Sequence, residues 1–186
     1  MGGMNMITVE TLELEIKDCG CEQGIKNCPL PAGAGWGISQ NPKELAAFLY
    51  RMHRVGVKSV LELGTGKTGG LARFMAERMG WYVTSIDTHK PRPEPKSYRF
   101  IQGNTRDVMV HEMYDLVFID AEHSYDAVSA DYRRFGDLAV QAVAFHDVNE
   151  KHPGILQFFN ELSDLHGGSQ RVISKDWPCG IGWIEV

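Results

Sequence analysis

The sequence predicts an α/β protein whose doubly wound, mostly parallel sheet has seven strands and an antiparallel edge strand. Three observations carry that prediction. Between Val57 and Ala76 a short apolar run, Val60 to Leu63, meets a glycine cluster that ends at Gly70, and a helical pattern follows at once. Strand, tight turn and helix in that order form the opening unit of such a fold. Further runs, above all Asp115 to Asp120, are continuously apolar before they reach an acid, as in strands covered on both faces. Successive predicted strands also end in Glu, Asp, Asn or His. In an open α/β sheet those ends converge on one crevice, where ligands bind.

Taken in order, residues 1–6 read as an unstructured start. Ile7 to Ile16 alternates in part, through Ile7, Val9, Leu12, Leu14 and Ile16, which favours a strand over a helix. Residues 18–37 hold Cys19, Cys21 and Cys28 among prolines and glycines, a loop composition. A loop of that length is either a lid or a plain N-terminal extension. Asn41-Pro42-Lys43-Glu44 opens a helix with Asn as N-cap, Pro at N1 and Glu at N3. Leu45, Phe48, Leu49 and Met52 form its apolar face, and Gly56 ends it. The helix after the glycine turn runs to Met79. Strands are expected at Trp81–Ile86, Tyr98–Gln102, Asp115–Asp120 and Val140–Phe145, with helices at Ser124–Phe135 and Pro153–Leu165. Arg171–Ser174 and Gly182–Val186 read as a late antiparallel edge pair.

Composition narrows the function. The chain has 186 residues, 43% hydrophobic and 23% charged, with net charge −5, enough for one sizeable core and not for two. No Lys/Arg block marks a nucleic-acid partner, so a small-molecule substrate is expected. No apolar run is long enough for a membrane span and no signal core stands at the N-terminus, which predicts a cytoplasmic protein. Cys19, Cys21, Cys28 and Cys179 are zinc-type residues, but Cys-x-Cys-x6-Cys is not a paired CxxC form. Reduced loop thiols are the other reading.

The glycine turn admits two readings from the residues. Gly66-Lys67-Thr68 looks like the end of a phosphate loop, but Leu61 stands where that motif needs its first glycine. The other reading keeps Glu62, giving Glu-x-Gly-x-Gly at 62, 64 and 66. An acid inside the turn is wrong for a pyrophosphate and right for a ligand carrying an ammonium group. Asp87 lies about twenty residues past the turn, where an acid accepts hydrogen bonds from a ribose diol. The remaining strand-end residues are Asn104, Asp120 with His123, and His146 with Asp147. Trp36, Gln40 and Trp177 are candidates for a substrate wall. Lys67, His53, His89, His111, His152 and His166 are expected at the surface.

Four stretches carry a resemblance: Val-Leu-Glu-Leu-Gly-Thr-Gly at 60–66, Ser-Ile-Asp87, Phe-Ile-Asp120-Ala-Glu-His123-Ser-Tyr125, and Ala-Phe-His146-Asp147-Val. Together they resemble class I S-adenosylmethionine-dependent methyltransferases, in the small branch with DxxHxY and HD motifs that is similar to sugar and macrolide O-methyltransferases and to cephalosporin-hydroxylase-like proteins. The resemblance spans about residues 36–186. It implies a Rossmann-like domain over residues 38–186, preceded by a 1–37 extension or lid. Glu62, Gly64 and Gly66 would cradle the methionine part of the cofactor. Asp87 would hold the ribose hydroxyls, Asn104 would meet the adenine edge, and Asp120 would line the same site. Thr68 stands where many members have a third glycine.

The implied activity is methyl transfer to an oxygen of a small molecule. The sulfonium is already electrophilic, so the protein mainly aligns the acceptor. The hydroxyl must also lose a proton, to a base or with help from a divalent cation. His123 is the candidate base, with Asp120 as its catalytic companion. Asp120, His146 and Asp147 are the candidate metal ligands. The two acids suit Mg²⁺, whereas His146, where relatives usually carry an acid, leaves open a softer ion or none. The rival is a fold-mate that binds the cofactor or a nucleotide without turnover. A nicotinamide-dependent oxidoreductase is disfavoured by Glu62 inside the turn. The edge pair and helix faces would support a homodimer.

Overall fold

The structure, a computed structural model, describes residues 7–19, 36–174 and 179–186. A seven-stranded sheet of order β3-β2-β1-β4-β5-β7-β6 forms its centre. The strands are β1 (Ser59–Leu63), β2 (Tyr82–Asp87), β3 (Arg99–Gln102), β4 (Tyr114–Ile119), β5 (Ala139–Phe145), β6 (Gln170–Val172) and β7 (Ile181–Glu185). β1 to β5 run parallel, β7 runs antiparallel against β5, and β6 pairs antiparallel with β7. This is the Rossmann-like, mostly parallel sheet with an antiparallel edge that the sequence predicts.

Side-chain alternation along the strands divides the core in two. Val60, Leu116, Phe118, Ala142 and Ala144 face helices α1 (Val9–Cys19), α2 (Pro42–Val55) and α3 (Gly70–Glu77). Leu61, Leu63, Val117, Ile119, Val143 and Phe145 face α4 (Tyr125–Phe135) and α5 (Pro153–Leu165). Both faces are covered, which is why these strands read as unbroken apolar runs.

The segment expected as a strand over Ile7–Ile16 is instead helix α1. Its buried residues are Leu12, Ile16 and Cys19, a helical spacing, while Leu14 is 61% exposed. Two-residue alternation would have put Leu12, Leu14 and Ile16 on one face. Thr8 starts the helix: its Oγ1 accepts from the Thr11 N–H at 3.2 Å, and Thr11 Oγ1 accepts from the Thr8 N–H at 3.0 Å. That reciprocal pair satisfies N–H groups the first turn leaves without partners. The expected lid loop, with Cys21 and Cys28, lies outside the described residues. Cys19 and Cys179 are buried free thiols.

The start of α2 follows expectation at Asn41, whose side chain accepts from the Lys43 and Glu44 N–H groups. The Glu44 side chain reaches across to the chain after β6. Its buried carboxylate accepts from the Ser174 N–H at 2.5 Å and the Gly180 N–H at 2.8 Å. It thereby ties the segment between β6 and β7 to α2. Among the described residues no helix is long and apolar enough to cross a membrane.

Leu12→Ala is expected to cost about 2–5 kcal/mol as a core truncation, and Leu14→Ala to stay within about 0.5 kcal/mol. Urea denaturation measures both. Equal losses would restore the strand reading.

Candidate functional site

Parallel register lines up the strand ends. Leu63 pairs with Ile86 and Ile119, and Ile119 with Phe145. The next residues are therefore brought side by side: Gly64, Asp87, Asp120 and His146. Backbone bonds extend the ladder past the strands, from Gly64 N to Ile86 O (2.9 Å), Asp120 N to Leu63 O (2.8 Å) and His146 N to Ile119 O (3.1 Å). Asn104 follows Gly103, whose N–H bonds Asp87 O at 2.9 Å.

Gly64 fixes the closest approach. Its φ is 95°, and a Cβ there would lie 2.1 Å from the Asp120 carbonyl oxygen. Only glycine allows β1 and β4 to part at this spacing. A Cβ on Gly66, by contrast, would meet no heavy atom within 4 Å. Two cavities open on either side of this turn and share Gly64, Gly66, Asp120 and Ala121 in their walls. The first, about 320 Å³, adds Asp87, Asn104 and Asp131. The second, about 350 Å³, adds Glu62, Gln40, His123, His146 and Asp147.

In the first cavity the Asp87 carboxylate is held by the Gly66 N–H (3.0 Å) and the His89 N–H (2.9 Å). Asn104 Oδ1 accepts from the Arg106 N–H at 2.9 Å, which turns the loop and leaves the side-chain NH₂ as a donor. Asp131 was not anticipated. It is buried on α4, and burial pushes its carboxyl up, against a Thr105 hydrogen bond and the Arg106 charge. An acid among the apolar positions of an amphipathic helix was the signal available in the sequence.

The second cavity ends on Glu62, buried in β1 and bonded by the Ser85 hydroxyl, which also pairs with Thr65. Burial pushes its carboxyl up to about 8; the Ser85 bond opposes this, and the charges of Asp120 and Asp87 add to it. The site thus holds a buried acid beside other acids, an arrangement that favours a cationic partner.

Asp120 does not cap α4, because Ser124 does, its hydroxyl accepting from the Ala127 N–H at 3.3 Å. Both Asp120 oxygens are engaged: Oδ1 faces His146 Nδ1 at 3.1 Å, and Oδ2 accepts from Gln40 Nε2 at 2.9 Å. Gln40 therefore reaches the site, whereas Trp36 packs under Arg73, 4.0 Å from its guanidinium, in the wall of a separate groove. Trp177 lies outside the described residues. His146 Nδ1 also sits 3.4 Å from Asp147 Oδ2. Burial disfavours its charge, but Asp120 and the bonds to Asp147 and Cys179 outweigh that and hold the imidazole well above its ordinary range.

Asp147 adopts φ 58°, in the left-handed region, and no other described non-glycine residue has positive φ. Such backbones cost about 1–3 kcal/mol and cluster at functional sites. Its carboxylate lies 3.3 Å from His123 Nε2 and 3.7 Å from His152 Nε2. His152, expected at the open surface, is half-buried at the start of α5 and faces the site.

The expected metal trio of Asp120, His146 and Asp147 fits Mg²⁺ poorly. Mg²⁺ takes oxygen ligands, and here an imidazole N–H stands between the two carboxylates. Among the described residues, the donor groups that gather within 4.8 Å are His123/Asp147/His152 and His146/Asp147/Cys179, and neither includes Asp120.

Solved structures place this architecture. An O-methyltransferase from Bacillus cereus in complex with SAH aligns with TM-score 0.57 at 15% identity, covering 99% of this chain and 93% of that one. The fold is the one these methyltransferases share. SAH-bound methyltransferase PaMTH1 from Podospora anserina gives 0.52 at 12% identity, over 77% of this chain and 78% of its own. MycE from the mycinamycin biosynthetic pathway, in complex with Mg, SAH and mycinamycin VI, gives 0.56 at 15% identity over 74% of this chain and 47% of its own. No family model matches the sequence, and no curated protein matches it.

Glu62 also makes a prediction about pH. Between the ordinary glutamate value, 4.5, and about 8, the folded state holds a proton the unfolded chain has lost. Stability contributed by the neutral carboxyl is complete below that window and is lost as pH rises through it. The near-isosteric Glu62→Gln is expected to flatten the fall in stability between about pH 5 and about pH 8. Urea titrations across that range measure it, and an unchanged slope would mean Glu62 is ionised in the fold.

Proposed function

We propose that this protein is an S-adenosylmethionine-dependent methyltransferase acting on an oxygen of a small molecule, with a cytoplasmic site of action. The observation that carries the reading is Glu62, a buried acid with no cation beside it among the described residues, at the foot of a glycine turn flanked by two cavities. An α-ammonium group supplies the charge that Glu62 lacks. On the other side of the turn, Asp87 offers a carboxylate for a ribose diol, and Asn104 an amide donor for the adenine edge, with Asp131 nearby. The residues fit the group at both ends, and the turn between them is open at Gly66, where even a Cβ would meet no heavy atom within 4 Å.

When bound, S-adenosylmethionine supplies an electrophilic methyl group, so the chain's own task is to place a hydroxyl and remove its proton. His123 lies in the wall of the cavity that holds Glu62. Asp147, 3.3 Å from its Nε2, favours the tautomer with hydrogen on Nε2 and leaves the Nδ1 lone pair to take the proton. Asp120 acts through other residues, holding His146 and Gln40 in position. Asp120, His146 and Asp147 do not suit Mg²⁺, because the imidazole N–H of His146 stands between the two carboxylates. The antiparallel edge pair and the helix faces would supply the contact for a homodimer.

The experiment is calorimetric titration of metal-free protein with S-adenosylhomocysteine, with NAD and ATP as controls. Micromolar binding of the homocysteine compound alone is expected. Its ammonium group should ionise Glu62, so buffers of different ionisation enthalpy should report proton release near neutral pH, absent in Glu62→Gln. Asp87→Ala should weaken binding about ten- to a hundred-fold, since hydrogen bonds to a charged group contribute about 1.5–3 kcal/mol. Unchanged affinity would remove Asp87 from the site, and preference for NAD or ATP would overturn the cofactor.

A further inference from the structure

We propose that His123, Asp147 and His152 form a binding site for a divalent transition-metal ion of the zinc class. The inference goes beyond the methyl-transfer reading and can fail separately from it. The three donors come from different elements: the loop after β4, the end of β5, and the start of α5. Their ligand atoms all lie within 4.8 Å of one another.

The distances favour a metal over plain ion pairs. His123 Nε2 and His152 Nε2 stand 3.3 and 3.7 Å from the Asp147 carboxylate. Charge-assisted hydrogen bonds are shorter, about 2.7–2.9 Å. Donors around a tetrahedral zinc ion, each about 2.0–2.1 Å from it, sit about 3.3 Å apart. The His123 and His152 rings meet edge to face with centroids 4.5 Å apart, close enough to turn both nitrogens toward one ion.

Two further features point the same way. The left-handed backbone of Asp147 aims its carboxylate between the imidazoles at a conformational cost. Behind it His146 Nδ1 lies 3.4 Å from Oδ2, and a ligating carboxylate is commonly held by such an outer partner. Two imidazoles and one carboxylate suit zinc, iron, cobalt or nickel better than magnesium. His123 is exposed and His152 half-buried, so coordination positions stay open toward solvent. A metal on Nε2 moves the His123 hydrogen to Nδ1. Metal occupancy and proton uptake by His123 therefore exclude one another.

The test uses metal-stripped full-length protein titrated with Zn²⁺ by calorimetry, with Co²⁺ as spectroscopic probe. About one equivalent is expected to bind, and the H123A/H152A variant, which keeps every cysteine, to bind at least about tenfold more weakly. The Co²⁺ complex should show ligand-field bands without a thiolate charge-transfer band. Equal affinity in the variant, or a thiolate band, would overturn the site and move the metal to the cysteines. His152→Gln, where the side chain makes no capping bond, gives the same comparison should the double variant fail to fold. Titration of the same metal-free protein with S-adenosylhomocysteine separates the two readings: homocysteine binding without zinc binding defeats only the metal site, and the reverse defeats only the methyltransferase.

Discussion

The close passage of Gly64 beneath the Asp120 carbonyl is the constraint on which the site depends. With 2.1 Å between that oxygen and any Cβ, β1 and β4 separate only because the residue there has none. From that point the chain of β1 turns into α3, and the chain of β4 turns toward α4. The space between them becomes two cavities with a common partition. Asp87, Glu62, Asp120 and His146 are arranged by this parting, because each sits at or beside a strand end locked in register with its neighbours. A site assembled in this way needs little help from loops. Its first polar layer is fixed by the sheet.

Charge is distributed unevenly across that layer. Glu62 is buried with no cation beside it among the described residues and is held toward its neutral form by burial, whereas Asp120 and Asp147 share the imidazole of His146. Within one cavity the protein therefore supplies a cation for Asp120 and Asp147 but leaves Glu62 for a ligand to complete. This asymmetry is the physical content of the cofactor proposal. It also explains why an imidazole in the place of an acid changes which ions the site welcomes.

Much of this was legible in the sequence, for identifiable reasons. A continuous apolar run ending in an acid located β4, a short apolar run meeting the glycine cluster located β1, and the stretch from Trp81 to Ile86 before Asp87 located β2, each within a residue or two. Asn41 and Pro42 gave the start of α2. The glycine turn with Glu62, the Asp87 offset and the positions of Asp120, His146 and Asp147 followed from strand ends. The misses have physical causes too. Over Ile7–Ile16 the apolar residues satisfy two periods at once, and only packing against α2 decides that Leu14 faces water. His152, Asp131 and the reach of Glu44 depend on which elements lie against each other across long stretches of chain, and local pattern carries no signal for that. Asp147 announces itself only through its backbone.

The position of β7 between β5 and β6 has a consequence for how the chain is made. Synthesis delivers β6 before β7, yet among the described residues β6 has no hydrogen-bonding neighbour in the sheet except β7. A nascent chain that has emerged through residue 174 carries a finished parallel half and an orphan strand. Its Glu44 carboxylate has not yet met the Gly180 N–H. The edge of the sheet beyond β5 stays open until Ile181 to Glu185 slot in against Phe145 to Ala142. Closure of the sheet, the second bond to Glu44 and the contact of Cys179 with His146 all depend on the stretch of chain that follows β6.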